Sequence, residues 1–371
     1  MREAGLEKIK ENICNQFQIE GKVEKLIRFG NGHINDTYQM ICRRGNGEIR
    51  RYILQRMNDE IFKNPAELME NIANVTAFLR RKIVERGGDA ERETLTVIRT
   101  VDENNFYTDK NGENWRLFLF IENAFCLETV RNPEDFYNSA VAFGNFQRLL
   151  AEYPADTLHE TIRNFHNTVS RFSDFEKAVE EDICGRKKEV EPEIRFVLER
   201  EADCHVICDA LKSGRIPLRV THNDTKLNNI MMDSLTGKGI CVIDLDTVMP
   251  GSALYDYGDS IRFGASTALE DERNLDLVSC DLELFEAYTK GYIEGCGGHL
   301  TKEEIRLLPM GAKIMTLECG MRFLADYLQN DIYYKIHRDR QNLDRARTQF
   351  KLVADMESKW ERMNAIVSRY L

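Results

Sequence analysis

The sequence predicts an α+β protein of two lobes, with an antiparallel-sheet N-terminal lobe and a mostly helical C-terminal lobe. Its 371 residues exceed what one ordinary core accommodates. Period-2 alternation and Gly/Asn-rich breaks dominate roughly the first 120 residues. Helical spacing dominates the remainder. We therefore expect an N-terminal lobe of residues 1–122 and a C-terminal lobe of residues 123–371.

The N-terminal lobe is expected to begin with an amphipathic helix, since apolar residues recur at helical spacing between Leu6 and Phe17. Alternation then predicts strands at 21–29, 36–42, 50–57, 94–100, 104–108 and 115–121. One helix interrupts these strands and is predicted to reach Arg86, because Asn64 suits its N-cap and Pro65 its first position. The predicted lobe is an antiparallel sheet with one inserted helix.

The C-terminal lobe is predicted to hold helices at 133–151, 189–212, 276–295 and 302–330. The exception is the stretch 219–250. Two strand-like segments there, 220–232 and 240–248, flank turn residues and predict a hairpin among helices.

The composition limits the classes of partner that the protein is expected to bind. A chain with a net charge of −11 is not expected to carry the basic stripe that a nucleic-acid surface needs. No run approaches the roughly 20 apolar residues of a membrane span, and the charged N-terminus lacks the apolar core of a secretion signal. Ten scattered cysteines without zinc-site spacing indicate reduced thiols. We expect a cytoplasmic protein that binds neither nucleic acid nor membrane; the sequence does not indicate its oligomeric state.

The segment Thr221-His222-Asn223-Asp224-Thr225-Lys226-Leu227-Asn228-Asn229 carries the clearest chemical signal. Asp224 precedes Asn229 by five residues and Asp244 by 20. Phosphoryl transfer needs a group that orients the acceptor hydroxyl and oxygen ligands for Mg²⁺, and this set supplies both. A polar hairpin is the alternative interpretation. It does not explain Asp244 within an apolar run, where a carboxylate needs a partner or a cation.

The first predicted turn, Gly30-Asn31-Gly32-His33, has the position and glycine content of a phosphate-binding loop, or of an ordinary hairpin turn. The third predicted strand carries no lysine for the nucleotide phosphates. Gln55 and Arg56 lie on its opposite faces, and the choice between them stays open. We assign nucleotide binding to Gly30, Asn31, Gly32, His33 and Arg56. Lys226 is a candidate to steady phosphoryl charge, with a solvated lysine as the alternative.

The order His-Asn-Asp-x4-Asn followed by Ile-Asp-x-Asp resembles the aminoglycoside phosphotransferase and choline kinase superfamily, whose members are distant relatives of protein kinases. The resemblance implies a bilobal protein-kinase-like fold that uses ATP and Mg²⁺. It implies Asp224 as the catalytic base and Asn229 and Asp244 as metal ligands. It also implies that Asp256 holds the catalytic loop.

Longer stretches, 221–264, 317–324 and 335–338, look like the bacterial N-acetylhexosamine 1-kinases, and the resemblance covers most of the chain. It implies phosphorylation of the anomeric hydroxyl of N-acetylglucosamine or N-acetylgalactosamine, without choosing between these epimers. The expected partners are then ATP and an amino sugar. Carried over residue by residue, the sugar contacts are Asp224, Thr247, Phe263, Arg322 and Tyr333.

Each sugar contact has an alternative, since Arg322 suits a surface ion pair and Phe263 and Tyr333 suit core aromatics. The alternative function is a kinase of the same fold for another hydroxyl, on an aminoglycoside, choline or homoserine. A nucleotide-binding pseudokinase is the third hypothesis, and the missing third-strand lysine is the feature that favours it.

Overall fold

The computed structural model of the protein describes residues 3–30 and 35–371, and the contacts within the chain divide it into two units. The first unit contains the chain up to Phe125 together with Asp233–Leu235 and Ile240–Val248. The second contains Cys126–Met232, Thr236–Gly239 and Met249–Leu371.

The chain up to Phe125 alternates strands with two helices. In chain order these elements are α1 (Glu3–Asn12), β1 (Lys22–Arg28), β2 (Asp36–Arg43), β3 (Ile49–Arg56), α2 (Pro65–Glu85), β4 (Val97–Ile98), β5 (Tyr107–Thr108), β6 (Asn114–Leu119) and β7 (Ala124–Phe125).

Six of these strands form one antiparallel sheet in the order β1-β2-β3-β6-β4, with β5 also paired to β6. Alternation along β3 buries Tyr52 and Leu54 in a core that also contains Ile13 and Phe17, from the segment after α1. Gln55 lies on the other face of β3 and is the cross-strand partner of Arg116 of β6. The predicted antiparallel-sheet lobe is confirmed.

The helix α2 begins as the sequence indicates. The side chain of Asn64 accepts a hydrogen bond from the backbone N–H of Glu67 at 3.3 Å, and Pro65 occupies the first turn. Further along, buried Asn71 donates a hydrogen bond to the carbonyl oxygen of Val248 at 3.1 Å. This bond ties α2 to the end of the 240–248 segment within the same unit.

The rest of the chain is mostly helical. In chain order its elements are α3 (Pro133–Leu149), α4 (Thr168–Glu181), α5 (Glu191–Leu198), α6 (Glu201–Lys212), β8 (Arg219–Thr221), β9 (Ile230–Asp233), β10 (Gly239–Val242), β11 (Met249–Gly251), α7 (Ala253–Gly264), α8 (Leu282–Cys296), α9 (Lys302–Leu328), α10 (Gln341–Ser358) and α11 (Trp360–Ser368). The predicted helical lobe of a kinase-like fold is confirmed.

The centre of the second unit is the contact between α7 and α9, where two glycines let the backbones meet. A Cβ atom on Gly258 would lie 2.2 Å from the carbonyl oxygen of Gly311. A Cβ atom on Gly311 would in turn lie 2.6 Å from the carbonyl oxygen of Leu254. Glycine is therefore required at both positions for this approach.

Several helical predictions were incomplete. Helices α4, α7, α10 and α11 were not predicted, and the helix predicted over 189–212 is two helices, α5 and α6. In α7, all but one of the 12 residues are buried, and Asp256, Gly258 and Asp259 among them are weak helix formers. Within residues 3–30 and 35–371, none of the helices combines the length and apolar content that crossing a bilayer requires.

Candidate active site

The segment after β8 forms a loop that is fixed through its backbone. The N–H groups of His222 and Asn223 donate to the two carboxylate oxygens of Asp256 on α7, at 3.0 and 2.8 Å. Gln147 of α3 donates to the same carboxylate at 2.8 Å. Burial raises the pKa of Asp256, and His222 and the donated hydrogen bonds only partly oppose this. Asp256 therefore holds the loop, as the sequence resemblance implies.

Asp224 follows this fixed point and keeps its carboxylate partly exposed, at 27% of the side chain. One oxygen lies 2.7 Å from Nζ of Lys226, and the other accepts a 3.3 Å bond from Nδ2 of Asn229. The pKa of Lys226 is raised: burial acts to lower it, but the charge and hydrogen bond of Asp224 outweigh burial. The structure thus brings two predicted residues, Lys226 and Asn229, to the carboxylate of a third, Asp224.

A second carboxylate of α7 supports the middle of the loop. Asp259 accepts a hydrogen bond from the backbone N–H of Thr225 at 3.0 Å, and Ser260 donates to the carbonyl of Thr225 at 2.8 Å. Arg262 donates twice to Asp259, at 2.8 and 3.0 Å. Burial acts to raise the pKa of Asp259, but Arg262 and Lys226 outweigh it and the pKa is lowered. This carboxylate therefore remains ionised beside the loop.

In the first unit, Asp244 follows β10 at a left-handed backbone angle, φ 58° and ψ 57°. An aspartate tolerates this conformation better than most residues. Asp244 caps the short 3₁₀ turn Leu245–Thr247, and it is exposed. Asp244 was predicted inside an apolar strand, and this prediction was wrong because the strand ends two residues earlier, at Val242.

The buried carboxylate of this segment belongs to Asp246, which is 4% exposed. It accepts a bidentate pair of hydrogen bonds from Arg116 at 2.5 and 3.0 Å, and a third from Nδ2 of Asn35 at 2.8 Å. Arg116 is itself 2% exposed, and its Nε donates to Gln55 at 2.9 Å. Sequence analysis singled out neither Arg116 nor Asp246. An arginine in an otherwise apolar strand, Trp115-Arg116-Leu117, was the available signal.

The predicted nucleotide-binding residues are only partly described. Asn31, Gly32 and His33 lie outside the described residues, while Gly30 is exposed at φ 74°. Arg56 holds two carboxylates, those of Asp36 and Glu113. Its role at the nucleotide stays a prediction, with its charge already paired.

The predicted sugar residues divide between the units. Thr247 is half-buried in the first unit, and Phe263 is half-buried near the end of α7 in the second. Arg322 of α9 lies 5.8 Å from the ring of Tyr333, so the structure brings these two together. Tyr333 is 66% exposed and is not a core aromatic.

Arg322 lies in an aromatic setting with a buried counter-charge. Its guanidinium lies 5.4 Å from the ring of Phe165 and 5.6 Å from that of Tyr334. Glu318, one helical turn earlier and 1% exposed, lies 3.7 Å from Nη1 of Arg322. The same carboxylate lies 3.0 Å from Nδ1 of His166. Arg322 is therefore not in a surface ion pair. His166 was missed because it belongs to no motif, and Glu318, although it lies within the stretch 317–324, was given no role.

The oxygen groups available suit a hard divalent cation. Nδ2 of Asn229 makes two hydrogen bonds, one to the Asp224 backbone at 2.8 Å, which leaves the amide oxygen for a cation. Asp244 supplies an exposed carboxylate in its own unit. Mg²⁺ takes one or two such ligands and completes its shell with water and phosphate. No cluster of three His, Cys, Asp or Glu side chains suited to a metal occurs in the described part of the chain, and Mg²⁺ does not need one.

A cavity of about 300 Å³ lies in the second unit and is lined in part by Asn223. Its walls include Phe165, His166, Met249 and Tyr255. The proposed sugar residues of this unit are not part of that lining.

Comparison with known proteins agrees with this architecture. A family model described as Phosphotransferase enzyme family matches residues 25–288, well over half of the chain. An aminoglycoside phosphotransferase from Alicyclobacillus acidocaldarius has a TM-score of 0.59 at 14% identity, covering 96% of this chain and 94% of that one.

Two further solved structures are similar at comparable distance. A microcompartment-associated aminopropanol kinase has a TM-score of 0.56 at 15% identity, covering 94% of this chain and 96% of that one. An amicoumacin kinase in complex with AMP-PNP, Ca²⁺ and Ami has a TM-score of 0.55 at 10% identity, with coverages of 100% and 94%. At these identities the likeness shows the fold alone.

Proposed function

The chain belongs to the phosphotransferase enzyme family, and we propose that it transfers the γ-phosphoryl group of ATP to the anomeric hydroxyl of an N-acetylhexosamine. The observation that carries the proposal is the carboxylate of Asp224, which is partly exposed on a loop whose backbone is fixed by Asp256. A base in this class of reaction must be oriented more than it must be strong.

In the proposed reaction the anomeric oxygen forms a bond to the γ-phosphorus while the bond from phosphorus to the bridging oxygen of ADP breaks. The proton of the sugar hydroxyl passes to Asp224. Lys226, 2.7 Å from that carboxylate, supplies positive charge close to the transferring group. ADP and the sugar 1-phosphate are the products.

Asn229, through its amide oxygen, and Asp244, through its carboxylate, would hold Mg²⁺ in this proposal. The cation would neutralise charge on the phosphate oxygens of the nucleotide. The amicoumacin kinase, whose structure includes AMP-PNP and Ca²⁺, supports a nucleotide with a divalent cation in this fold. Arg116 holds Asp246, two residues after the proposed ligand, and so fixes the segment that carries it.

The charge around Arg322 favours a neutral acceptor. Arg322 and His166 share one carboxylate, that of Glu318, so an ammonium group brought to Arg322 would meet a local excess of positive charge. An acetamide carbonyl or ring hydroxyl, in contrast, accepts hydrogen bonds from the guanidinium. The exposed ring of Tyr333 offers an apolar face to a sugar. The positive charge at Arg322 therefore disfavours choline and aminoglycosides as acceptors.

The test is ADP release from Mg-ATP with a panel of acceptors: N-acetylglucosamine, N-acetylgalactosamine, choline, homoserine, aminopropanol and kanamycin. We expect one or both amino sugars to be the best substrates by kcat/KM. The product is expected to show a phosphorus signal coupled to the anomeric proton.

The methyl glycosides of the two sugars are matched controls, because their anomeric oxygen is blocked while the rest of the ring is unchanged. They should release no ADP. Phosphorylation of a methyl glycoside would place the reaction at another hydroxyl, and a better rate with choline or kanamycin would favour the alternative kinase. Binding of Mg-ATP with no turnover on any acceptor would favour the pseudokinase.

A further inference from the structure

The backbone of Asn223, the residue before Asp224, is held from both sides. Its φ angle of 65° is in the left-handed region, which is less favourable for any non-glycine residue than for glycine and is tolerated best by asparagine and aspartate. Its N–H donates to Asp256 at 2.8 Å. Its carbonyl oxygen lies 3.1 Å from Nε2 of His166. The conformation that presents Asp224 therefore depends on two contacts, one of which is a histidine.

The ring of His166 lies between two groups that only accept hydrogen bonds. Nδ1 lies 3.0 and 3.3 Å from the two oxygens of Glu318, and Nε2 faces the carbonyl of Asn223. A neutral imidazole has one N–H and would leave one nitrogen lone pair facing an acceptor. Because Arg322 stabilises Glu318 as a carboxylate at 3.7 Å, both ring nitrogens must carry protons to satisfy both contacts.

We propose that His166 is a positioning residue, held as an imidazolium between Glu318 and the carbonyl oxygen of Asn223, which fixes the backbone that presents Asp224. The proposal rests on the proposed function only for the catalytic role of Asp224. It assigns Glu318 as the counter-ion that makes the charged ring possible in a buried site.

The groups around the ring agree with this charge state. On α9 the carboxylate of Glu318 favours the charged ring, while Arg322 opposes it. On α7 the ring of Tyr255 lies 5.5 Å away, and Asp259 interacts favourably with the charged histidine. The adjoining cavity wall adds Glu160, Cys208 and Lys212.

The net effect on the pKa of His166 is an increase. Burial acts to lower the pKa, and the charge and hydrogen bond of Glu318, with the carbonyl of Asn223, outweigh burial. A raised folded-state pKa means that the stabilisation is fully present below the ordinary histidine pKa of about 6.5. It is lost as pH rises through the raised value, so the loop should loosen on the alkaline side.

The direct test is nitrogen NMR of the histidine rings in the full chain, with His166 assigned by comparison with the His166→Gln variant. We expect both ring nitrogens of His166 to be protonated at neutral pH, because the pKa of the ring is raised above the ordinary histidine value of about 6.5. Glu318→Gln keeps the shape of the partner but removes its charge, so the ring should become neutral and carry one proton. A singly protonated ring in the unmodified protein would overturn the proposal.

Kinetics provide the second readout. Misplacing a reacting group by about 1 Å costs roughly a hundredfold in rate, so His166→Gln and Glu318→Gln should lower kcat by about tenfold to a hundredfold. The KM for Mg-ATP should change by less than about twofold, because loop anchoring acts on the chemical step. The unmodified protein should lose kcat at alkaline pH, and in Glu318→Gln this loss should occur at lower pH.

His299→Gln is the matched control, since this exposed histidine has its backbone carbonyl, and not its ring, in contact with Arg219. It should leave kcat and the pH profile unchanged. Unchanged kcat in both His166→Gln and Glu318→Gln would overturn the positioning role. If no acceptor were phosphorylated but the ring proved doubly protonated, the proposed function would fail while the loop anchor stood.

Discussion

The carboxylate of Asp224 is held by two side chains of its own loop, Lys226 and Asn229. Replacing Asp224 with Asn keeps the shape and removes the proton acceptor. General-base contributions are typically 10²–10⁴-fold, so kcat should fall by roughly that factor. Binding of Mg-ATP, measured by calorimetry, should change by less than about twofold, since the base contacts the acceptor.

Asp174→Asn is the matched control for this substitution, because that side chain is 65% exposed on α4. It should retain full activity. Near-normal turnover by Asp224→Asn would remove Asp224 from the mechanism and with it the proposed reaction chemistry.

The buried pair of Arg116 and Asp246 makes a second prediction at this scale. Arg116→Met leaves a carboxylate with 4% exposure without its bidentate partner, which should lower the free energy of unfolding by about 3–5 kcal/mol. Adding Asp246→Leu removes the uncompensated charge and should restore part of the loss. The measurement is urea unfolding followed by Trp115 fluorescence in a Trp360→Phe background, since the chain has two tryptophans.

A double variant no more stable than Arg116→Met would contradict this account, because the cost would then come from lost packing and not from the stranded charge. Arg50 is the control for arginine loss in the same sheet. It pairs with Glu91, which is 53% exposed, so Arg50→Met should have little effect.

At the residue scale, local spacing in the sequence predicted which loop residues meet, but the sequence did not predict which polar residues are buried. The spacing that singled out Asp224 and Asn229 also brings them together in the structure, because both are on one short loop. Asp246 was passed over, since its partner Arg116 is 130 residues away and no local pattern joins them. The contact between His166 and Asn223, which are 57 residues apart, was missed for the same reason.

At the scale of elements, the packing of α7 on α9 sets the position of both loop-holding aspartates, Asp256 and Asp259. Gly258 lies between them at the closest backbone approach. Gly258→Ala would place a methyl group 2.2 Å from the Gly311 carbonyl, and relieving that overlap should cost about 1–3 kcal/mol of stability. Turnover should fall as well, since α7 carries the two carboxylates.

Helical circular dichroism during urea unfolding measures this effect. Gly45→Ala is the control, because no atom lies within 4 Å of the added methyl in that turn. Its free energy of unfolding should change by less than about 0.5 kcal/mol. Equal stability of Gly258→Ala and the unmodified chain would mean that α7 and α9 separate without cost.

The elements also show where sequence patterns are sufficient. Strands β1, β2 and β3 and helix α2 were predicted within about two residues, because turns and caps such as Asn64 mark their ends. Helix α7 was missed because Asp256, Gly258 and Asp259 are weak helix formers, and packing rather than intrinsic propensity makes this segment helical.

At the scale of the whole molecule, both units bury free thiols. Cys14 and Cys42 lie in the sheet-rich unit, and Cys204 and Cys280 in the helical one, each at 0–1% exposure. Burial raises the pKa of these thiols from 9.0 to about 12 for Cys14, Cys204 and Cys280, and to about 11 for Cys42. The free thiols expected from the sequence are thus buried in both units.

These buried thiols predict that the chain loses stability as the pH rises above about 9. A raised folded-state pKa gives a contribution that is fully present below pH 9.0 and is lost as pH rises through the raised value, since the unfolded chain releases protons first. Each such thiol should lower the free energy of unfolding by about 1.4 kcal/mol per pH unit at most above that point. Urea unfolding under reducing conditions between pH 7 and pH 10 should therefore show a decline that becomes steeper near pH 9, beyond the loss expected from His166. Cys14→Ala should make the decline shallower, whereas Cys184→Ala, at a half-buried thiol, should leave its slope unchanged. A constant free energy of unfolding across this range, or equal slopes for Cys14→Ala and the unmodified chain, would show that burial does not hold these thiols protonated.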